Sequence, residues 1–383
     1  MKIALVTTDN REHFHSYAET VPHFGAAPEA LMQGFAGLRD LEMHVVSCTQ
    51  KPMKSPEKLA DNIFFHSLYV PKIGWMRTSY QGCVRAVRRK LKAIKPDLVH
   101  GQGTERECSI STVFSKFPNV VTIHGNMAEL ARLFKAPLAS FGWLAAQLEN
   151  VTLKRAGGVF CNSAYTESLV APRAAKTWRV ANPIREYFFD APRRAARTDK
   201  CVVINVGVVT ERKRQMDLLQ VARRLHEQGL NIEFQFVGSA HPKNEYAVKF
   251  LEQIREAETA GYAKYLGTKS TAELVAMFDE AHGLVHFPNE EAFGLVVAEA
   301  LARELAFFGA RLGGIIDISE GIPGAKLFDG EDWDGLTAGM AEWVRKGFPK
   351  SSGALETMKE RYHPKVIAQR HVEIYREVLG RSA

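Results

Sequence analysis

Short apolar runs alternate with longer segments of helical periodicity along the whole chain. Apolar runs of this length, rich in Val, Ile and Leu, are typical of strands buried on both faces of a parallel sheet, and the segments between them are typical of covering helices. In the first half, this pattern predicts helices at residues 28–38, 80–94 and 141–153, and strands at residues 2–7, 43–47, 97–101, 120–124 and 158–162.

The same alternation begins again after residue 200. It predicts strands at 201–206, 233–237, 263–266, 283–287 and 306–310, and helices at 215–228, 246–257, 271–279 and 293–302. Two such successions predict an α/β protein of two doubly wound, Rossmann-like domains that face one another across a cleft. The predicted bounds are an N-terminal domain at 1–185, a linker at 186–200, a C-terminal domain at 201–363 and a last helix at 364–383 that packs back on the first domain.

Composition and cysteine spacing argue against a membrane protein, a zinc protein and a secreted disulfide-bonded protein. The 383 residues contain no uncharged apolar run of about 18 residues, so the sequence predicts no membrane span. The five cysteines are scattered without a C-x-x-C pair, which fits a reducing cytoplasm better than a zinc site or a disulfide framework. The N-terminal residues lack the small-residue cleavage site of a signal peptide. We therefore expect a cytoplasmic protein.

The excess of positive charge lies in the first half of the chain. The first 190 residues contain 24 Lys and Arg against 16 Asp and Glu, whereas the remainder contains 26 against 27. Residues 80–95 concentrate this charge on an amphipathic helix, which either covers the sheet as a surface helix or lies against anionic lipid at the inner face of the membrane. Its single aromatic residue is Tyr80, so it lacks the interleaved rings of a nucleic-acid-binding surface, and we expect no nucleic acid partner.

The stretch PNEEAFGLVVAE at residues 288–299 carries the most specific candidate chemistry. It follows an apolar strand, at the carboxyl edge of a sheet, where open α/β folds bind ligands. A helix that begins near Phe293 offers free N–H groups and a positive dipole end to a diphosphate, and Gly294 lets a ligand approach the backbone closely. Glu291 and Glu299 could then hold the hydroxyl groups of a sugar and of a ribose.

This spacing, E-A-F-G-L-V-V-A-E, resembles the E-x7-E motif of the family 4 retaining glycosyltransferases, which have the two-domain GT-B fold. The resemblance spans nearly the whole chain and is specific only at residues 287–299. It implies transfer of a hexose-type sugar from a nucleotide-diphosphate sugar, UDP-linked or GDP-mannose, onto a glycan, lipid-linked or small-molecule acceptor. It also implies no cofactor and no metal, because protein cations stabilise the diphosphate, and a setting in cell-envelope polysaccharide biosynthesis.

The resemblance also assigns roles to individual residues. His124, at a strand end, matches a histidine that contacts the transferred sugar, and Gly25 lies in place of a glycine-rich loop near the phosphates. The turn that begins at Gly207 supplies two cations to the diphosphate. The expected catalytic residues are His124, Glu291, Arg212 and Lys213, and the expected donor-binding residues are Gly25, Gly207, Arg212, Lys213, Glu291, Phe293, Gly294, Leu295, Val296 and Glu299.

Three departures from the family pattern keep alternatives open. Val208 replaces a frequent arginine, Ala26 replaces the second loop glycine, and residues 303–306 replace a small-Gly-x-Pro stretch. The alternatives are a catalytically silent glycan- or membrane-binding protein and a nucleotide-sugar epimerase of the same fold. A nicotinamide oxidoreductase is disfavoured because the first strand lacks a G-x-G-x-x-G sequence. The histidines at 13, 15 and 23 have no recognised metal-ligand spacing, so we expect no metal site.

Overall fold

The computed structural model describes residues 1–195 and 200–380, which form two compact units. The first contains Met1–Arg185 and residues 362–380, and the second contains the described residues between Glu186 and Arg361. Residues 196–199 of the predicted linker and 381–383 of the predicted last helix lie outside the described residues. No helix in the described ranges is long and apolar enough to cross a bilayer.

The first unit is built on an eight-stranded sheet. Its strands are β1 (Lys2–Val6), β2 (Glu42–Thr49), β3 (Lys58–Ala60), β4 (Ile63–Tyr69), β5 (Leu98–Gln102), β6 (Asn119–Ile123), β7 (Val159–Cys161) and β8 (Thr177–Arg179). Their order is β3-β4-β2-β1-β5-β6-β7-β8, and all pairs are parallel except β3–β4. The order changes direction between β1 and β5, as in a doubly wound fold.

Helices cover both faces of this sheet. They are α1 (Asn10–Phe14), α2 (Ala26–Ala36), α3 (Gln81–Ile94), α4 (Glu107–Val113), α5 (Met127–Leu133), α6 (Phe141–Arg155), α7 (Ala164–Val170) and, from the end of the chain, α16 (Pro364–Val378). Alternate residues of β1 separate the two layers. Leu5 packs with α2 and α16, whereas Val6 packs with α3 and α4.

The last helix packs in the first unit through a glycine on α2. A Cβ at Gly34 would lie 2.2 Å from the Pro364 carbonyl oxygen, so α16 can begin this close only because Gly34 has no side chain. Further along α16, Tyr375 is fully buried in the core of the first unit. The C-terminal helix is therefore part of the first unit's core.

The second unit repeats the doubly wound pattern with six parallel strands. They are β9 (Cys201–Val206), β10 (Ile232–Val237), β11 (Ala263–Tyr265), β12 (Gly283–His286), β13 (Ala306–Ala310) and β14 (Ala325–Phe328), in the order β11-β10-β9-β12-β13-β14. The helices are α8 (Tyr187–Asp190), α9 (Gln215–Glu227), α10 (Glu245–Ala260), α11 (Thr271–Glu280), α12 (Leu295–Ala302), α13 (Gly313–Ser319), α14 (Trp333–Arg345) and α15 (Ala354–Tyr362). The predicted α/β class with two doubly wound units is confirmed.

The chain enters the second unit through residues that the sequence places in a linker. Phe188 and Phe189 of α8 are buried, and Arg303 donates to the Phe188 and Ala191 carbonyl oxygens at 3.3 and 3.0 Å. Arg303 is itself 1% exposed and pairs with Asp279 at 2.7 Å. The segment up to Ala191 is therefore anchored in the packing of this unit.

Candidate functional site

The strand order of the second sheet changes direction between β9 and β12. Open parallel sheets bind ligands at the carboxyl edge of such a switch point. Gly207 directly follows β9, and His286 is the last residue of β12. The two loops that carry most of the predicted donor-binding residues therefore leave the sheet from neighbouring strands.

Two glycines fix the loop between β12 and α12. Gly294 has φ of 98°, a left-handed conformation that favours glycine, and α12 begins directly after it. Gly314 packs so closely that a Cβ there would lie 2.5 Å from the Phe293 Cα, and its N–H donates to the Glu291 carbonyl oxygen at 3.2 Å. The prediction that the helix begins near Phe293 is wrong by two residues, because left-handed Gly294 keeps Phe293 in the loop.

Lys213, Glu291 and His286 form a hydrogen-bonded cluster at this edge. Lys213 Nζ donates to Glu291 Oε2, and His286 Nε2 lies 2.9 Å from the same oxygen. Lys213 Nζ and His286 Nε2 are 3.4 Å apart. The side chains of Lys213 and Glu291 are 13% and 14% exposed, so the ion pair is largely withdrawn from water but still reachable. The structure thus brings together two of the four predicted catalytic residues.

The charges of this cluster depend on one another. Burial lowers the pKa of His286 to about 4, helped by the Lys213 charge, so the imidazole is neutral at ordinary pH. Burial alone raises the pKa of Glu291, but Lys213, the His286 hydrogen bond and Arg212 outweigh it and hold that pKa well below its usual range. Burial also lowers the pKa of Lys213, an effect that the Glu291 carboxylate opposes. A neutral His286 therefore donates its Nε2–H to an anionic Glu291.

Arg212 is tied to the same loop from the other side. Its Nη1 donates to the Glu290 carbonyl oxygen at 2.9 Å and lies 3.4 Å from Glu290 Oε2. The Asn289 N–H donates back to the Arg212 carbonyl oxygen at 2.9 Å. The guanidinium remains about one third exposed. The turn that follows β9 and the loop that follows β12 are therefore joined through both backbone and side chain.

The remaining predicted donor residues surround this cluster. Glu299 is 5% exposed on α12, one helix turn beyond the half-buried Leu295 and Val296. A Cβ at Gly207 would contact the Lys213 methylenes at 3.7 Å. Gly238, which the sequence analysis did not single out, lies against Gly207: a Cβ there would be 2.0 Å from the Gly207 carbonyl oxygen. The positive φ of Gly238, 143°, is part of the same close approach.

In the first unit, His124 follows β6 and is held by Gln102. His124 Nε2 lies 2.9 Å from Gln102 Oε1, which can only accept, so the imidazole carries its proton on Nε2. Burial lowers the pKa of His124 to about 4, although a hydrogen bond with the Asn182 side chain opposes this shift. His124 is therefore a neutral imidazole at ordinary pH.

Gln102 continues into a buried chain of hydrogen bonds. Its Nε2 lies 3.2 Å from His100 Nε2, which also lies 2.7 Å from Thr122 Oγ1. His100 Nδ1 lies 2.6 Å from the hydroxyl of Tyr375 on α16. Because the Gln102 amide nitrogen can only donate, His100 Nε2 accepts and Nδ1 carries the proton toward Tyr375. The orientation of His124 thus depends on a residue 251 positions later in the chain.

Two other features of the first unit bear on the sequence predictions. Gly25 precedes α2 in an extended conformation, and a Cβ there would meet only Pro28 Cδ, at 3.6 Å, so packing leaves this position open. Glu105, which the sequence analysis missed, accepts from the Gly125 N–H at 2.9 Å, next to His124. Burial raises the pKa of Glu105 to about 7 despite hydrogen bonds from backbone N–H groups.

The histidines at 13, 15 and 23 belong to no metal-binding group of side chains among the described residues. Over the described ranges, no group of three or more His, Cys, Asp or Glu side chains is arranged to hold a metal ion. His23 Nε2 instead lies 2.6 Å from Glu19 Oε2. Asp9 pairs with the buried Arg11 at 2.7 Å, and the Arg11 guanidinium also donates to the Glu19, Thr20 and Lys54 carbonyl oxygens.

Comparison with known proteins covers both units. Residues 29–184 match the model of Glycosyltransferase Family 4, and residues 188–360 match that of Glycosyl transferases group 1. A comparison with curated proteins gave no match.

Solved structures with a similar fold share little sequence with the chain. Sucrose-phosphate synthase from Thermosynechococcus elongatus has a TM-score of 0.77 at 16% identity, over 99% of each chain. HepE from Anabaena in complex with UDP-glucose has a TM-score of 0.72 at 16% identity, over 98% of this chain and 100% of its own. The lipopolysaccharide outer core galactosyltransferase WaaB has a TM-score of 0.68 at 14% identity, over 98% and 100%. At this identity the likeness shows the fold alone.

Proposed function

Since the chain belongs to the family 4 glycosyltransferases, retaining enzymes of the GT-B fold that use nucleotide-sugar donors, we propose that it transfers a hexose-type sugar from a UDP-sugar onto a glycan or lipid-linked acceptor. The observation that carries the proposal is the Lys213–Glu291–His286 cluster at the switch point of the second sheet. It pairs a cation with a carboxylate, the two groups that a sugar diphosphate needs, in one partly accessible place.

The donor would bind by replacing the Lys213–Glu291 ion pair with two contacts, one from each residue to the sugar diphosphate. A diphosphate oxygen takes over Lys213 from Glu291, and Glu291, still oriented by His286, then accepts hydrogen bonds from sugar hydroxyls. The N–H groups at the start of α12 face the same edge and favour a negative ligand. Glu299, one turn further on, is assigned to the ribose, as the resemblance implies.

The reaction proposed from the family resemblance needs no protein nucleophile. The acceptor hydroxyl attacks the anomeric carbon on the face from which the diphosphate leaves, and the leaving phosphate takes the acceptor proton. Arg212 and Lys213 stabilise the charge that develops on that phosphate, a role that a divalent metal fills in other enzymes. The resemblance gives His124 the contact with the transferred sugar, where its neutral imidazole acts as a hydrogen-bonding group.

The choice of UDP rests on one structural neighbour. HepE, at 16% identity, is described in complex with UDP-glucose, and GDP-mannose is the alternative donor to be tested beside it. The acceptor class is proposed from charge, because the excess of Lys and Arg in the first 190 residues favours an anionic or membrane-borne substrate. Helix α3, within the basic residues 80–95, is the proposed contact with anionic lipid at the cytoplasmic face of the membrane.

Thermal shift with nucleotides tests the donor assignment directly. A ligand that binds only the native state raises the melting temperature by mass action, so UDP, GDP, ADP and their common sugar conjugates are compared at millimolar concentration. Glu299→Ala is measured beside Glu356→Ala, an exposed glutamate on α15. We expect a shift with UDP and a UDP-sugar in the wild type and in Glu356→Ala, and its loss in Glu299→Ala.

The outcome also separates the alternative functions. A shift with GDP conjugates alone would change the donor and keep the enzyme class. Product analysis then distinguishes transfer to an acceptor from epimerisation of the free nucleotide sugar. If no nucleotide shifts the wild type, the proposed transfer is refuted and a silent binding protein on this fold becomes the better explanation.

A further inference from the structure

The turn between α5 and α6 carries a group of exposed apolar side chains. Leu133, Phe134, Leu138 and Phe141, here called the apolar tip, are 41–79% exposed within nine consecutive positions. Large side chains that lie singly on a surface are ordinary, but a contiguous exposed group marks a place where something binds. Lys135, which is also exposed, lies between Phe134 and Leu138 in the sequence and is the one charged residue within the tip.

The apolar tip carries almost no negative charge. Segment 127–141 contains one acidic residue, Glu129, and its carboxylate is already paired with Arg132 at 2.6 Å. Arg132 and Lys135 are both exposed beside the apolar side chains. Because Arg132 is paired with Glu129, Lys135 supplies the net positive charge of this segment. An apolar surface with a net positive charge and without a free carboxylate fits the interfacial region of an anionic bilayer.

A second positive surface belongs to the same layer of helices. The basic face of α3 consists of the exposed Arg85, Arg89 and Lys92, with the exposed Lys95 directly after the helix, and α3 contains no acidic residue. In the described part of the chain, none of these four cations has an ion-pair partner. Helix α3 packs on α4, α4 packs on α6, and α6 packs on α5, so the basic face and the apolar tip lie on one side of the first sheet.

We propose that the apolar tip and the basic face together dock the first unit on an anionic lipid bilayer, with the tip inserted among the headgroups. A second copy of the chain is a poorer occupant, because it would bring the same unpaired cations against their equivalents. Burying apolar side chains and neutralising lysines and arginines are the two terms that hold an interfacial helix on such a membrane. The proposal rests on the proposed function for the lipid contact of α3 and for the lipid-linked acceptor, and it adds the apolar tip as the part of the first unit that inserts.

Vesicle co-sedimentation tests the docking surface. The full chain is mixed with vesicles of phosphatidylcholine alone or with added phosphatidylglycerol, at low and high salt. The tip variant is Phe134→Ser/Leu138→Ser, and the face variant is Arg85→Gln/Arg89→Gln/Lys92→Gln. The matched control is Val248→Ser/Val366→Ser, which also removes two exposed apolar side chains. Val248 lies on α10 of the second unit, and Val366 lies on α16, which covers the opposite face of the first sheet.

We expect binding only to vesicles that contain phosphatidylglycerol, weakened by salt. The face variant should lower the partition coefficient on the order of 100-fold, at about fivefold per cation. The tip variant should lower it at least about tenfold, from the loss of buried apolar area, and the control variant should bind like the wild type. Thermal unfolding without vesicles or nucleotide should be cooperative, with closely similar melting temperatures, in all four proteins, which shows that the variants are folded.

Three results would overturn the proposal. The wild type could fail to sediment with either vesicle, or the tip variant could bind as tightly as the wild type. The wild type could also prove to be a dimer that the tip variant dissociates, which would assign the tip to a second copy. Because vesicle binding is measured without donor or acceptor, failure of docking and failure of sugar transfer give separate signatures.

Discussion

Replacing Glu291 with glutamine separates two roles that the carboxylate could have. In the structure Glu291 Oε2 holds both Lys213 and His286. Glutamine keeps an oxygen that can accept from His286 but removes the charge that pairs with Lys213. If Glu291 grips the sugar, the variant should lose transfer while it keeps nucleotide binding. If Glu291 only positions Lys213, both should fall together.

The magnitudes follow from the contacts that change. A hydrogen bond to a charged group contributes about 1.5–3 kcal/mol, so loss of the carboxylate's grip on sugar hydroxyls should lower kcat/KM on the order of 10- to 100-fold. UDP should bind at least as tightly as to the wild type, and up to about tenfold tighter, because its diphosphate no longer displaces a carboxylate from Lys213. The free energy of unfolding should fall by a few kcal/mol, since Lys213 is left largely buried without its partner.

Two assays on the same protein check this reasoning. Calorimetry gives the UDP dissociation constant, and thermal unfolding with and without UDP gives the stabilisation. The UDP-induced shift should be larger in Glu291→Gln than in the wild type, because the diphosphate replaces the missing negative charge. Glu290→Gln is the neighbouring control, since Arg212 Nη1 keeps its 2.9 Å contact with the backbone oxygen. A UDP affinity that falls in proportion to kcat/KM would refute the assignment of Glu291 to the sugar.

Three further changes test the site and its supports. Glu304 has φ of 61°, so Glu304→Gly should be more stable than Glu304→Ala by about 1 kcal/mol in urea unfolding, because both lose the 3.2 Å contact with Arg193 and only glycine relieves the left-handed backbone. Equal stability would contradict the φ argument. Gly314→Ala should weaken UDP-sugar binding at least about tenfold, measured by calorimetry, because its Cβ displaces the Phe293 backbone. An unchanged affinity would show that this loop adapts. Burial raises the pKa of Glu105 from its ordinary value of 4.5 to about 7 in the folded protein. The protonated carboxyl therefore contributes its full stabilisation below pH 4.5, and this contribution is lost as the pH rises through 7. Glu105→Gln should therefore gain stability relative to the wild type between pH 5 and 8, by up to about 3 kcal/mol in chemical unfolding, and a constant difference over that range would refute the shift.

The strands β9 to β13 of the second unit are predicted to within one residue of their observed bounds. The pattern gives β9 and β13 their observed bounds, because both are buried on each face and end at glycine or at a polar turn. The edge strands β3 and β8 escape prediction, since each is partly exposed and carries too few apolar positions to stand out. Strand β4, between β3 and β2, also escapes it, because His66 and Ser67 interrupt its apolar run. The helices α4 and α5 escape it because each has seven residues, which is too short to show a helical period in the sequence.

Residues that orient the candidate site are harder to predict than those expected to touch the donor. Glu291 and Lys213 stand in recognisable motifs, whereas His286 is marked only by being the polar end of an apolar strand. That signal was available, because a histidine at the carboxyl end of a buried strand lies where ligands bind. No local pattern connects Gln102 with Tyr375, since the pairing of α16 with the first sheet arises from tertiary packing.

Residues 303–306 differ from the small-Gly-x-Pro stretch of the family, but contacts within the second unit still support the position of α12. Arg303 stands where the family has a small residue, and its guanidinium is neutralised by Asp279 and holds two carbonyl oxygens at the start of the second unit. Glu304 stands where the family has glycine and still adopts the left-handed conformation that glycine would take. The chain therefore leaves α12 along the path that a glycine would give it, at the cost of backbone strain of about 1–2 kcal/mol. Because α12 carries Glu299 and follows Glu291, the unusual sequence after the motif preserves the helix that the proposed donor site requires.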